Sequence, residues 1–593
     1  MLIQKLVDYH DNRIPITMPP MYGKMTIKWL IDLDAKGKFI EFVPTSSGKK
    51  KDKGKEYVCP HLAKTSGVRA RLLVENGEYV IGKARKPKTT DVKKIAKDAK
   101  KVIERNQAFI KSIREAEEET KEATLKAVLR FYESYDVNSI ALPKEFDPTQ
   151  NLTFRVNGII PFELPRIKAY WAVAAHASTS AKKGKLAASE KIMQCIVCGQ
   201  LLPVVRRLPF KLKRLPSDGQ MAEFTLISAN SPAFESYGLE ESYIAPICSA
   251  DAEKFTKAAN ALLEGDDTHV TVGPLVYIFW TKVDTGFSFS MLLSKPDSAQ
   301  VKQLITSVFK GKEAASALDE SAFYAAAFST SGSRAVVRDW LETTVNNAKQ
   351  NLARYYRLQS IAELDGGEPQ PMGINALSAA TVPLKQNKPD YEKISPNVPK
   401  ALLKCALEGK PLPEWLLYQA VKRTKAEQGV RKGHAALIKM VIASQNKNFD
   451  EEGNGMEELN KTNKEPAYLC GQLLGVLESV QYAAMGKTNS TVIGRFYGTA
   501  SSAPASVFGT LLRGAQAHLD KLRKNKEGTY VALQRKLEDV QRDLTMFPKT
   551  LTLQQQGLFA LGYYHLRAKD AKDRADAKAK KLANNTNEND TNE

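Results

Sequence analysis

Three short stretches of this chain hold residue types that can do chemistry, and each must be judged by the partners it would need. Cys195-Ile196-Val197-Cys198-Gly199 is the one CxxC in the sequence. A closed zinc site takes four nitrogen or sulfur ligands, and no second pair follows at zinc-ribbon spacing. The sequence therefore predicts a turn with two half-buried thiols, and no metal. His10-Asp11 has the opening of a metal-dependent phosphohydrolase, yet the seven histidines supply no companion ligands at a usable spacing. Gly486-Lys487-Thr488 has the ending of a phosphate loop, but Gln481 stands where its first glycine belongs, and the context is helical rather than strand-to-helix. No nucleophile–base pair or metal-spaced carboxylate cluster stands out. The expectation is no active site, no cofactor and no enzyme.

Charge is the stronger signal. Lys and Arg number 87 against 66 Asp and Glu, a formal net charge of +21, and the isoelectric point is near 9.4. Such an excess opposes folding by self-repulsion, so it answers a polyanion. An anionic membrane is the weaker partner, because no run approaches the ~18 apolar residues of a spanning helix. The start, Met-Leu-Ile-Gln-Lys-Leu-Val-Asp, is charged too soon for a signal peptide. Six cysteines in so long a chain make no disulfide framework, which points to a reducing cytoplasm. Nucleic acid is the better partner.

The positive residues are grouped. Lys83, Arg85, Lys86, Lys88, Lys93, Lys94, Lys97, Lys100 and Lys101 face only Asp91 and Asp98 in their stretch. Arg206, Arg207, Lys211, Lys213 and Arg214 alternate with Pro203, Pro209, Phe210 and Pro216, whose rings favour an extended segment able to track phosphates. Lys49, Lys50, Lys51 and Lys53 form a basic loop without apolar anchors, expected to be mobile. Contacts of this kind give affinity without sequence choice, and they weaken steeply with salt as counterions are released. Choice needs groups that reach base edges. The turn Glu75-Asn76-Gly77, flanked by Arg69, Arg71 and Lys83, is the most suitable tip.

The elements that must position these groups read as α+β followed by all-α. Residues 25–43 form a hairpin about Asp34-Ala35-Lys36-Gly37, and residues 72–81 a second, with Asn76-Gly77 as a type I′ turn. Residues 91–134 have helical periodicity. A mixed region follows, with strands at 152–160, 223–229 and 274–291 and helices at 250–264, 299–310 and 334–351. The prolines and glycines of 363–398 read as a linker. Helices are expected at 399–409, 412–427, 431–446, 465–485, 503–524, 527–545 and 552–582, a bundle with a disordered polar tail after Ala583. The domains are accordingly 1–135, 136–362 and 399–593.

An ordered series of motifs adds a resemblance. Leu226-Ile227-Ser228-Ala229-Asn230-Ser231-Pro232-Ala233-Phe234-Glu235-Ser236-Tyr237-Gly238, with Ala245-Pro246, resembles the central motif of the large subunit of the type I-C CRISPR Cascade complex. Leu2 to Leu6, Arg69 to Asn76, Cys195 with Gly199 and Pro203, and Ala259 to Leu263 keep the same order. So do Phe279-Trp280, Ser331 to Arg334, Val337 to Trp340, Pro466 to Leu473 and Arg495 to Gly498. The second cysteine, Cys198, departs from the family's pattern and leaves a local metal role open.

The resemblance implies a subunit that works with crRNA, the Cascade backbone and crRNA-processing subunits, and a small subunit. It would read the PAM in double-stranded target DNA, start strand separation, hold the displaced strand and recruit a helicase–nuclease. It implies that Arg69, Arg71, Asn76 and Lys83 face the PAM duplex and that the lysine loop and the 206–214 group follow the backbone. Arg495, Arg513, Lys521, Arg523 and Lys524 would line the displaced strand, and Met456 would be an internal start for a separately made small subunit, 456–593. The competing readings are a nuclease or helicase of a defence or repair system, and a general single-strand-binding scaffold.

Overall fold

The computed structural model describes residues 2–14, 18–46, 52–62, 68–87, 90–134, 136, 140–180, 191–217, 222–229, 231–310, 320–446 and 456–589. The chain divides into two compact units. The first comprises Met1–Leu215, Gln220–Leu263 and Thr330–Val336, and the second Pro216–Gly219, Glu264–Ser329 and Val337–Glu593. These are not the expected divisions at 135 and 362.

The first unit opens with α1 (Leu2–Arg13) and β1 (Tyr22–Ile27). Then come β2 (Trp29–Leu33), β3 (Phe39–Pro44), β4 (Lys55–Pro60) and β5 (Glu75–Asn76). The hairpin expected at 25–43 is present as β2 and β3. Asp34 shapes its turn by accepting the N–H groups of Lys36 and Lys38 at 2.8 and 2.9 Å. Gly37 has φ of 89°, and a Cβ there would run into the Ala127 carbonyl. Residues 22–27 belong elsewhere, paired antiparallel with β4.

The second expected hairpin is absent. β5 pairs instead with β6 (Asn151–Val156), which lies parallel to β2, giving a sheet of order β3-β2-β6-β5. Gly77 starts a short helix, α2 (Gly77–Val80), capped by Asn76. Turn chemistry at Asn-Gly lost to a capping hydrogen bond and to close packing, since a Cβ at Gly77 would meet Phe146 at 2.7 Å.

Two helices cover the sheet: α3 (Val92–Thr120) and α4 (Ala123–Ser134), divided where Lys121 turns left-handed. Phe109, Ile113, Phe131 and Phe154 share the core between them. The unit is completed by α5 (Pro165–Ser180), β7 (Ile192–Gln194), β8 (Leu201–Pro203), β9 (Leu212–Lys213), β10 (Glu223–Phe224) and α6 (Ser249–Glu264). Only the start of the strand expected at 223–229 forms.

The second unit begins with β11 (His269–Val272), β12 (Leu275–Thr281), α7 (Phe289–Ser294) and α8 (Ser298–Lys310), and takes in most of β13 (Ala322–Ser331) and β14 (Arg334–Thr344), whose adjoining ends, Thr330–Val336, are grouped with the first. The four strands form a sheet in chain order. β14 corrects the helix expected from 334. Its Val336, Val337, Thr343 and Thr344 are stiff at χ1 and suit a strand. The helix starts at α9 (Val345–Gln359), where the Thr344 side chain caps it.

The stretch 363–398 is no bare linker. It carries α10 (Ile374–Ala379) and the small pair β15 (Leu384–Lys385) and β16 (Lys388–Pro389). Ile374, Leu377, Val382, Ile394 and Val398 from it are all in the main core. Prolines punctuate it, but regularly placed apolar residues decide its fate.

Helices then follow as expected: α11 (Asn397–Glu408), α12 (Glu414–Glu427), α13 (Lys432–Ser444), α14 (Pro466–Met485), α15 (Val492–Ala500), α16 (Phe508–Asn525), α17 (Glu527–Arg542) and α18 (Leu553–Asn589). The sequence reading missed α15, and α18 runs past Ala583 where disorder was expected. The whole is α+β with a helical C-terminal part.

Candidate nucleic-acid interface

The first unit brings two distant basic segments together. At their junction the half-buried His61 ring stacks on Phe210, centroids 4.2 Å apart and planes 14° from parallel. Lys257 of α6 lies over the other partner, 5.2 Å from the Phe210 centroid. Loss of solvent, followed by the charges of Arg71 and Lys213, pushes the His61 pKa down to about 3. Burial and the neighbouring charge of Arg207 lower the Arg69 pKa below its ordinary value. Arg69 and Arg71, expected at the PAM, thus adjoin Arg207 and Lys213, expected on the backbone. Sequence spacing alone could not reveal this meeting.

Not all of these charges are equally available. Both Arg206 and Arg207 pair with Glu241, whose carboxylate accepts from Arg206 Nη2 at 3.1 Å and from Arg207 Nε and Nη2 at 2.8 and 2.9 Å. Arg207 nevertheless keeps 42% of its side chain exposed, against 18% for Arg206. Arg71 packs over Glu75, 3.5 Å away. Lys213, in a strand pair with Glu223, is exposed. Lys211 is half-buried and Arg214 exposed, with left-handed backbone at φ 60°. Such pairs hold guanidinium planes in place, at the cost of part of their attraction for phosphate.

Asn76 sits at a helix start, not a loop tip. Its Oδ1 accepts the Glu78 N–H at 3.1 Å. Among the described residues its amide nitrogen donates no hydrogen bond. Lys83 is exposed seven residues further on. Below them α3 projects a basic end. Its first fully buried side chain is Val102, so Lys93, Lys94, Lys97 and Lys100 all face solvent. Lys53 is exposed, while Lys49, Lys50, Lys51 and Lys88 lie outside the described residues.

In the second unit, Arg495 lies exposed on α15, and Arg513, Lys521, Arg523 and Lys524 lie exposed on α16. At about 100° per residue, Arg513 and Lys524 fall opposite the buried stripe of Phe508, Leu511, Ala515, Leu519 and Leu522. Lys521 and Arg523 flank them on either side. Met456 is half-buried and packs against the main core.

The weaker motifs resolve as structure. His10 and Asp11 end α1, where Asp11 pairs with Lys254 at 2.9 Å. Gly486 closes α14, and no strand precedes it. The expectation for the CxxC needs correction. Cys195 is buried and Cys198 exposed, and Cys248 and Asp251 join them in the one metal-competent group of His, Cys, Asp and Glu found among the described residues. The Cys248–Asp251 pair is spaced like the first, but an aspartate fourth member hid it from a search for cysteine pairs.

The first unit thus carries a positive surface built of separate segments. The family model for CRISPR-associated protein (Cas_Csd1) matches residues 4–570. The chain therefore belongs to the Cas_Csd1 family of CRISPR-associated proteins, in agreement with its motif resemblance to a Cascade large subunit. None of the curated proteins compared with it matches. Among the described residues no helix is long and apolar enough to cross a membrane.

Proposed function

We propose that this chain is the non-catalytic large subunit of a type I-C RNA-guided complex, acting in the cytoplasm. In this reading it grips double-stranded DNA beside the crRNA-matched sequence, inspects the PAM, and promotes R-loop formation. It then holds the displaced strand and recruits the helicase–nuclease. Its other partners are the Cascade backbone and crRNA-processing subunits and a small subunit equivalent to 456–593, started at Met456.

The meeting of Arg69 with Arg207, and of Arg71 with Lys213 at the His61–Phe210 stack, supports this reading. Glu75, Glu241 and Glu223 hold Arg71, Arg207 and Lys213 in place and offset part of their charge, and the ordered donors that remain suit a phosphate backbone. The Asn76 amide and Lys83 supply a reader close to the Arg71 end, and α16 offers a second basic face for single-stranded DNA.

The test uses the assembled complex with Arg207→Gln and Lys213→Gln together. Each phosphate contact contributes about 0.9 to the slope of log affinity against log salt. The double variant should lower that slope by roughly two and weaken binding at every flanking sequence alike. An unchanged slope would remove this cluster from the DNA path.

A further inference from the structure

We infer that Cys195, Cys198, Cys248 and Asp251 bind one zinc ion as a closed structural site. Their four candidate ligand atoms lie within 4.8 Å of one another. Tetrahedral bonds of ~2.3 Å to sulfur and ~2.0 Å to oxygen place neighbouring S and O ligands about 3.5 Å apart. The Cys195 and Cys248 Sγ atoms stand 3.3 and 3.1 Å from Asp251 Oδ2. Small side-chain shifts suffice to admit the ion.

The backbone already has the two-sided form that such a site requires. Cys195 and Cys198 sit at the tip joining β7 to β8, closed by Cys195 N–H to Gln200 O and Gly199 N–H to Cys195 O, both 2.9 Å. Gly199 has φ of 74° there, with open space where its Cβ would be, so the glycine serves the turn's conformation. Cys248 and Asp251 occupy the start of α6, three residues apart and so on one face. The Cys248 N–H donates to Cys195 Sγ at 3.4 Å. Ile196 N–H to Pro246 O, 3.0 Å, and Val205 N–H to Ile247 O, 2.9 Å, fasten the halves together.

Charge supplies a second, independent argument. Asp251 is only 6% exposed, and among the described residues its carboxylate pairs with no Lys or Arg. A buried carboxylate needs a compensating charge, and three thiols around it provide none. A divalent cation provides it and converts the thiols to thiolates, releasing their protons. With four protein ligands no position stays open for water, so the role is to clamp the β7–β8 tip to α6, not catalysis. This inference stands apart from the DNA-binding reading.

The full chain, purified under reducing conditions and dialysed against metal-free buffer, should retain one zinc per molecule by elemental analysis. Cys198→Ser with Cys248→Ser should retain roughly tenfold less or lower still. Should that variant fail to fold, cobalt exchanged into the unaltered chain should show thiolate-to-cobalt charge transfer and the intense visible bands of a tetrahedral site. Either an unaltered folded chain that keeps neither metal, or a double variant that keeps zinc undiminished, would overturn the assignment.

Discussion

At Asn76 a single side chain divides its two ends between fold and partner. The oxygen is spent on capping α2, while the amide nitrogen is left for an outside acceptor such as a base edge. Alanine removes both functions, and the lost cap alone costs about 1 kcal/mol. Aspartate separates them, since it caps equally well but offers no donor. Asn76→Asp should therefore fold normally and assemble with crRNA, yet lose about 1–3 kcal/mol of discrimination between flanking sequences. Retained discrimination in a competition binding assay would free Asn76 of the reading role. The candidate residues were legible by type in the sequence, because basic clusters and an Asn-Gly pair are visible there. Their company was not. Glu241 lies far along the chain from Arg71 and yet sets how much charge Arg206 and Arg207 can offer.

Elements carry the motif that spans Pro466 to Leu473. Its glycine lies where α14 crosses α18 with the two backbones touching. A Cβ on Gly471 would come within 2.0 Å of the Phe559 carbonyl, and one on Gly562 within 2.1 Å of the Tyr468 carbonyl. Backbone cannot yield as a side-chain end can. Either Gly→Ala change should cost about 3 kcal/mol, the upper end for overpacking, despite alanine's better helix propensity. Chemical denaturation of the full chain measures this, and a neutral or stabilising alanine would contradict the crossing. The helix α3 was readable from sequence because one buried stripe dictates it, and α13 and α14 because long apolar runs are buried almost all round. The errors fell where local signals competed with tertiary packing. Asn76-Gly77 became a cap instead of a turn, 334–344 paired as a strand, and the proline-rich 363–398 was drawn into the core by Ile374, Leu377 and Val398.

Across the whole molecule, three histidines share one electrostatic state. Burial first, then nearby positive charge, pushes His61 and His565 down to about 3 and His434 to about 4. Unfolded, each titrates near its ordinary 6.5. As pH falls below that value the unfolded chain takes up protons that the folded chain refuses, so stability declines, and goes on declining toward pH 3–4. Thermal unfolding should thus shift downward between about pH 7 and about pH 5, before most carboxylates titrate. A flat profile there would mean the rings are not held neutral.

The same scale sets the functional account, in which one chain supplies the flank-reading surface of an RNA-guided complex. Its most direct test is selection of crRNA-matched duplexes bearing a randomised flank, by complex assembled with and without this chain. The account predicts enrichment of a defined flank only when the chain is present. Equal enrichment in its absence would contradict it.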